Sequence, residues 1–477
     1  MPSFTHRTTG KTLLAAATAL ALAGLAAPAF AGQVYLGNLL DHGNSRFIVK
    51  LRSGSVPAAD PKAMAQVLER AAAGAKPAAS TSRRIQLRPL RQMLMPGGRV
   101  IQSDADLSRA EAAALMRRIA ADPNVEFVQR DGISRVQATA NDPNFSKQWH
   151  YADSAVGIRL PTAWNASTGS GVVVAVVDSG VVSHTDLNAN LLPGYDMISS
   201  TTGFSDAECR DAGANPGCGK SDDGDGRDAN PNDVSGILHG THVAGTVAAV
   251  TNNGIGVAGV APNARIVPIR ALGNQGFGGD SDIADAVVWA SGGSVAGVPA
   301  NPNPAEVINL SLGGAAPCSD TPAWQAAIDT AVANGSTVVV ASGNSNVDVA
   351  GFTPASCNGV IRVAASNKSG ARASYSNWGQ SMDLAAPGGT TLYAGDANGV
   401  LSTVGNNGYA YYQGTSMAAP HVAGAAALIL SVAPSKTPAQ VKQLLKSTAR
   451  PIASNKCPKG CGTGIIDAAA AVAAATK

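Results

Sequence analysis

The sequence predicts an α/β protein, a mostly parallel sheet flanked by helices in three layers, preceded by a small α+β domain. Three observations carry this. After residue 140 short β-branched runs alternate with helical stretches, the pattern of parallel strands joined by crossover helices. One run, Val172-Val173-Val174-Ala175-Val176-Val177, is continuously apolar, as a strand buried on both faces must be. The charge balance also changes sign along the chain. Residues 32–140 hold 16 Lys and Arg against 9 Asp and Glu, whereas residues 141–477 hold 17 against 23. Opposite signs favour docking of the two parts.

Taken in order, residues 1–31 carry His6, Arg7 and Lys11, an apolar stretch over 13–25, and Ala29-Phe30-Ala31. This pattern predicts a secretory signal peptide with an A-x-A cleavage site, too short to favour a membrane span. In residues 32–140, Arg46-Phe47-Ile48-Val49-Lys50-Leu51 and Val125-Glu126-Phe127-Val128 alternate like strands. Between them, Ser108 and Glu111 make a capping box that opens a helix. In residues 141–477 strands are expected near 172–177, 266–270, 307–310, 337–341, 360–364 and 382–385, with helices near 282–290 and 323–333. The last recognisable element is Gly462-Thr463-Gly464-Ile465-Ile466-Asp467, with no room expected for a further C-terminal domain.

Three stretches carry chemistry. Asp178 ends the apolar strand in Val177-Asp178-Ser179-Gly180, where open α/β sheets place their ligands. His239-Gly240-Thr241-His242-Val243-Ala244-Gly245 opens a small-residue helix. Gly414-Thr415-Ser416-Met417-Ala418-Ala419-Pro420 feeds an Ala-rich helix and sets a hydroxyl at its N-terminus, where unpaired N–H groups and a partial positive charge suit an anion. In this order the blocks resemble the three signatures of the subtilisin-like serine proteases, the subtilases, and the similarity runs through nearly all of residues 141–477. The resemblance implies a subtilisin-like fold and a secreted endopeptidase acting through an acyl-enzyme. Ser416 would be the nucleophile, His239 its base and Asp178 the group that orients the imidazole. His242 and His421 read as buried structural residues. Residues 32–140 are similar to subtilase propeptides, which assist folding and inhibit the enzyme until removed, so self-cleavage is expected at Gln137-Ala138-Thr139-Ala140.

The resemblance extends to the surroundings of the triad. Asn344, after the strand Val338–Ala341, matches the side-chain donor of the oxyanion hole, and Ser311, Leu312, Gly313, Gly314, Ala341, Ser342 and Gly343 match the segments that line the S1 pocket and pair with a bound peptide. Asp186 with Thr251, Asn253, Ile255 and Val257 resembles the family's calcium site, built of hard oxygen ligands. Asp222, Asp225, Asp228 and Asp233 form an acidic, Gly-rich insertion that reads either as a second calcium site or as a solvated loop. Six cysteines suit an oxidising compartment, and nearness in sequence suggests Cys209 with Cys218 and Cys457 with Cys461, leaving Cys318 with Cys357. Implied partners are protein and peptide substrates and the chain's own propeptide, with the enzyme a monomer. No nucleic-acid groove and no membrane anchor stand out. A catalytically dead binding module would need a broken triad, and all three blocks are intact. A zinc peptidase on His239 and His242 would need a helical i, i+4 pair and a Glu that H-G-T-H lacks.

Overall fold

The computed structural model describes residues 31–73, 85–133 and 139–477. The expected signal peptide lies almost wholly outside the described residues, as do Gln137 and Ala138 of the expected cleavage segment. The chain divides into two compact units between residues 136 and 137.

The first unit is α+β. Its five-stranded sheet runs in the order Gln33–Tyr35, Val125–Arg130, Asn44–Leu51, Gly98–Leu107, Leu87–Gln92. The helices Pro61–Ala72 and Arg109–Ala120 bury Met64, Leu68, Leu115, Met116 and Ile119 against Phe47, Val49 and Ile101 of the sheet. The second helix starts at the Ser108 and Glu111 capping box, with both reciprocal bonds present. The two donors so satisfied explain why it starts there.

The second unit holds a seven-stranded sheet in which every adjacent pair is parallel. In chain order its strands are β1 (Val173–Asp178), β2 (Tyr195–Asp196), β3 (Arg265–Arg270), β4 (Val307–Leu310), β5 (Thr337–Ala341), β6 (Ile361–Ser366) and β7 (Leu384–Pro387). They lie in the order β7-β6-β5-β4-β1-β3-β2. The chain lays strands to one side of β1 and then to the other, so the order reverses there, and ligands of such sheets bind outside the carboxyl ends at the reversal. Asp178, the last residue of β1, sits at that place.

The principal helices are α1 (His239–Ala248), α2 (Asp280–Ala290), α3 (Pro322–Ala333), α4 (Thr415–Val432), α5 (Pro438–Thr448) and α6 (Ala468–Ala475). Two clusters fill the two faces of the sheet. One gathers α1, α4, α5 and α6, and the other gathers α2 and α3. Buried Ala418, Ala419, Ala423 and Gly424 keep α4 thin, and a Cβ on Gly424 would lie 2.5 Å from Val260. The expected strands and helices fall within two or three residues of those found. The hairpin Val400–Val404 with Gly408–Tyr412 and helices α5 and α6 are additions, and α6 follows the segment expected to be the last element.

Candidate active site

Asp178 is fully buried, and its Oδ1 accepts from the Ser179 N–H at 2.7 Å and pairs with His239 Nδ1 at 2.7 Å. His239 opens α1 directly after Leu238, whose φ of 61° is the left-handed region that a branched residue enters only when held there. Glycine is required next in line. A Cβ on Gly240 would sit 2.1 Å from the Gly180 carbonyl oxygen, so only a bare backbone lets the start of α1 approach the end of β1. Burial disfavours the charged imidazole, but the Asp178 charge and hydrogen bond, with Asp233 behind them, outweigh it and hold His239 above its ordinary pKa. A neutral His239 bonded through Nδ1–H leaves Nε2 as a base facing a cleft of about 720 Å³.

Ser416 stands in the first turn of α4. Pro420, four residues on, has no N–H, so the Ser416 carbonyl lacks its helical donor. The Ser311 hydroxyl supplies one at 2.8 Å, and in return the Ser416 hydroxyl donates to the Ser311 carbonyl at 3.0 Å. Asn309 Nδ2 bonds the Ser311 hydroxyl from below at 2.9 Å. Among the described residues no hydrogen bond joins Ser416 Oγ to His239, so the hydroxyl must rotate off Ser311 to reach the imidazole.

Asn344 is exposed just beyond β5, and its Oδ1 accepts from both the N–H and the hydroxyl of Thr415, each at 2.9 Å. With its oxygen so occupied, the amide presents its NH2 to the hollow of about 360 Å³ that it shares with Ser416. Thr415 gives its N–H to Asn344 and Met417 gives its own to the Gly414 carbonyl, which leaves the Ser416 N–H as the second donor in that first turn. The hollow and the cleft holding His239 share Leu312, Gly313, Gly314 and Ala315 as a common wall.

Of the residues expected to meet a peptide, Leu312, Gly313, Gly314, Ala341 and Gly343 line these spaces. Ser311 contributes to the cleft with its hydroxyl already engaged. Ser342 is a correction: its side chain is fully buried, with a hydroxyl that finds no partner, because side chains alternate faces as the chain leaves β5. The reading of the sequence missed Ile237, Leu272, Phe277, Ile283 and Trp324, which give the cleft its apolar walls, and Asp211 and Asp280 on its rim.

Asp186 is buried and accepts from Val257 N at 2.8 Å and Asn253 Nδ2 at 2.7 Å. Asp142, also buried and absent from the expected ligand set, accepts from Asn252 N and Asn253 N of the same loop. Burial pushes the Asp186 carboxyl above the usual range and the Asp142 charge adds to this. Neither carboxylate has an ion pair among the described residues, so the donor set fits a hard divalent cation. The acidic insertion does not converge. Asp222 binds Lys220 and Ser235, Asp228 accepts from Asn230 N, and Asp233 is buried against Ser179, Ile237 and Leu238. Among the described residues no group of three or more His, Cys, Asp or Glu has metal-ligand geometry. Asp233 is thereby removed from the second calcium set.

Disulfides join Cys209 to Cys218, Cys318 to Cys357 and Cys457 to Cys461. His242 lies stacked on Tyr412 with Nε2 at the Val400 and Ala410 carbonyls, and burial pushes its pKa down to about 3. His421 Nδ1 bonds the Met417 carbonyl at 2.7 Å and its Nε2 meets His150 Nδ1 at 2.8 Å. Burial lowers His421 to about 4 and His150 well below the ordinary value.

The sequence model of the Subtilase family matches residues 169–464. An extracellular protease of Xanthomonas campestris is 49% identical over 477 residues, covering 98% of this chain and 80% of its own. An extracellular basic protease of Dichelobacter nodosus is 44% identical, covering 76% and 60%. Among solved structures, one of the proteases from Pseudoalteromonas arctica is 52% identical, covering 71% of this chain and all of its own, with a TM-score of 0.62.

Proposed function

The chain belongs to the subtilase family of serine endopeptidases, and on that premise we propose that Asp178, His239 and Ser416 carry its hydrolysis of peptide bonds in proteins. The observation that carries the assignment is the 2.7 Å bond from His239 Nδ1 to a buried carboxylate, which turns Nε2 toward the cleft that a substrate must occupy. The Ser416 hydroxyl rotates to Nε2, loses its proton there and attacks the scissile carbonyl carbon. Asp178 fixes the tautomer and stabilises the imidazolium so formed. The tetrahedral oxyanion takes hydrogen bonds from Ser416 N–H and Asn344 Nδ2, donors already in place before charge develops. Collapse breaks the C–N bond, with the leaving amine taking the proton from Nε2. Water activated by the same nitrogen then releases the acyl group. The substrate backbone lies along Leu312 to Gly314 as an added strand, and glycines there let it come close.

Residues 32–140 act as an inhibitory propeptide, removed by self-cleavage near Ala140. Export to the extracellular space is supported by the names of the Xanthomonas and Dichelobacter relatives. Asp186 and Asp142, with Asn253 and the carbonyls of Thr251, Ile255 and Val257, hold a structural calcium ion, which relieves the repulsion between two buried carboxylates. The Ser416→Ala chain is expected to remain uncut and inactive, and a serine-directed organophosphorus reagent is expected to label Ser416 of the parent. Mass spectrometry of the purified chains reads both. A self-trimmed Ser416→Ala chain defeats the assignment.

A further inference from the structure

Asp233 has a place that neither the acidic insertion nor the triad explains. It is 5% exposed, and its Oδ2 accepts from the Leu238 N–H at 2.6 Å and from the Ser179 hydroxyl at 3.0 Å, while Oδ1 accepts from Ile237 N–H at 3.3 Å. Ser179 in turn takes the Gly240 N–H on its hydroxyl at 3.1 Å and gives its own N–H to Asp178 Oδ1. One carboxylate thus ties the residue after Asp178 to the residues on both sides of His239. It also holds Leu238 in a left-handed conformation, disfavoured for a branched residue, that α1 leaves without any side-chain cap.

Resting on the triad assignment above, we propose that Asp233 is a positioning residue for the peptidase reaction, clamping the Asp178 and His239 segments to each other through Ser179 and the Leu238 N–H. The charge adds a second effect. His239 faces Asp178 at the end of β1, Asp233 in the preceding loop and His242 one turn along α1, and Asp233 itself also faces Tyr412. Asp233 is the second negative group to favour the imidazolium that forms as Ser416 gives up its proton, so it acts on the reaction and not on ground-state binding alone.

Asp233→Asn keeps the volume, removes the charge and leaves one of the three donors without its acceptor. The expected result is a kcat/KM about ten- to a hundredfold lower, borne by kcat. The acid limb of the kcat/KM profile is expected to move roughly half a pH unit downward, because His239 then loses its proton more readily. Ser179→Ala breaks the bridge but keeps the charge, so kcat/KM is expected to fall several-fold with the acid limb unmoved. Parent-like kinetics and an unmoved acid limb in Asp233→Asn overturn the proposal. If that variant does not accumulate folded, parent-like kinetics in Ser179→Ala overturn it instead. His239→Ala and Ser416→Ala, measured alongside, separate the two readings: activity surviving in those variants strikes the triad, whereas their silence beside an unaffected Asp233→Asn strikes only the clamp.

Discussion

His239 and His242 lie one turn apart on the same helix, and their surroundings drive them in opposite directions. His239 bonds one carboxylate, feels the charge of a second and is held above its ordinary pKa, whereas His242 meets two carbonyls and an aromatic face and is held down to about 3. Burial weakens the charged form of both. The difference shows that partners, and not burial, decide which way a histidine's proton affinity moves. His150 and His421 follow His242, sharing a hydrogen bond with each other and, among the described residues, none with a carboxylate.

Removing each ring in turn separates the two histidines most clearly. His239→Ala is expected to lower kcat about 10⁶-fold, the magnitude known for this base in subtilisin, with secondary structure intact by circular dichroism. His242→Phe is expected to retain much of the activity per folded molecule and to lose stability in a denaturant titration. Next in size is the oxyanion donor. Asn344→Ala should lower kcat by roughly a hundred- to a thousandfold with little change in KM, as the matching donor does in subtilisin.

The interior histidines make a third test, through acid. Their folded pKa values lie below that of the unfolded chain, near 6.5, so the unfolded state binds more protons in between and stability falls as pH falls. The window runs from about pH 6.5 down to about 4 for His421 and about 3 for His242. The cost across these windows should be about 3 kcal/mol for His421 and about 5 kcal/mol for His242. His239, raised instead, has the opposite sign and contributes stability that is lost as pH rises. Unfolding of the Ser416→Ala chain against pH measures the sum, and a flat profile between pH 6.5 and 4 contradicts it. The smallest effect concerns the carboxylate pair without an internal cation. Calcium at a hundred times its dissociation constant should stabilise the parent by about 2.7 kcal/mol, a few degrees in melting temperature, and Asp186→Asn should abolish most of that response.

Much of this was legible in the sequence, for particular reasons. Strands β4 and β5 were readable because their apolar residues are contiguous, and the pairing of Asp178 with His239 because each sits in a local motif with its own small residues. Asp233 was misplaced because an acidic Gly-rich stretch looks the same whether its carboxylates gather on an ion or one of them turns inward to backbone N–H groups. Asp142 was passed over because its partners, Asn252 and Asn253, are more than a hundred residues away. Ser342 was included because neighbours in number were taken as neighbours on a surface. The apolar walls of the cleft come from several loops, each with one or two contributions, and no window of sequence holds their sum.

The proline within α4 has a consequence for engineering. Replacing a helical proline by alanine usually strengthens a helix, since it restores a missing rung. At residue 420 the restored rung would compete with the Ser311 hydroxyl for the Ser416 carbonyl. A change chosen for heat tolerance would therefore act first on the Ser311 wall of the cleft.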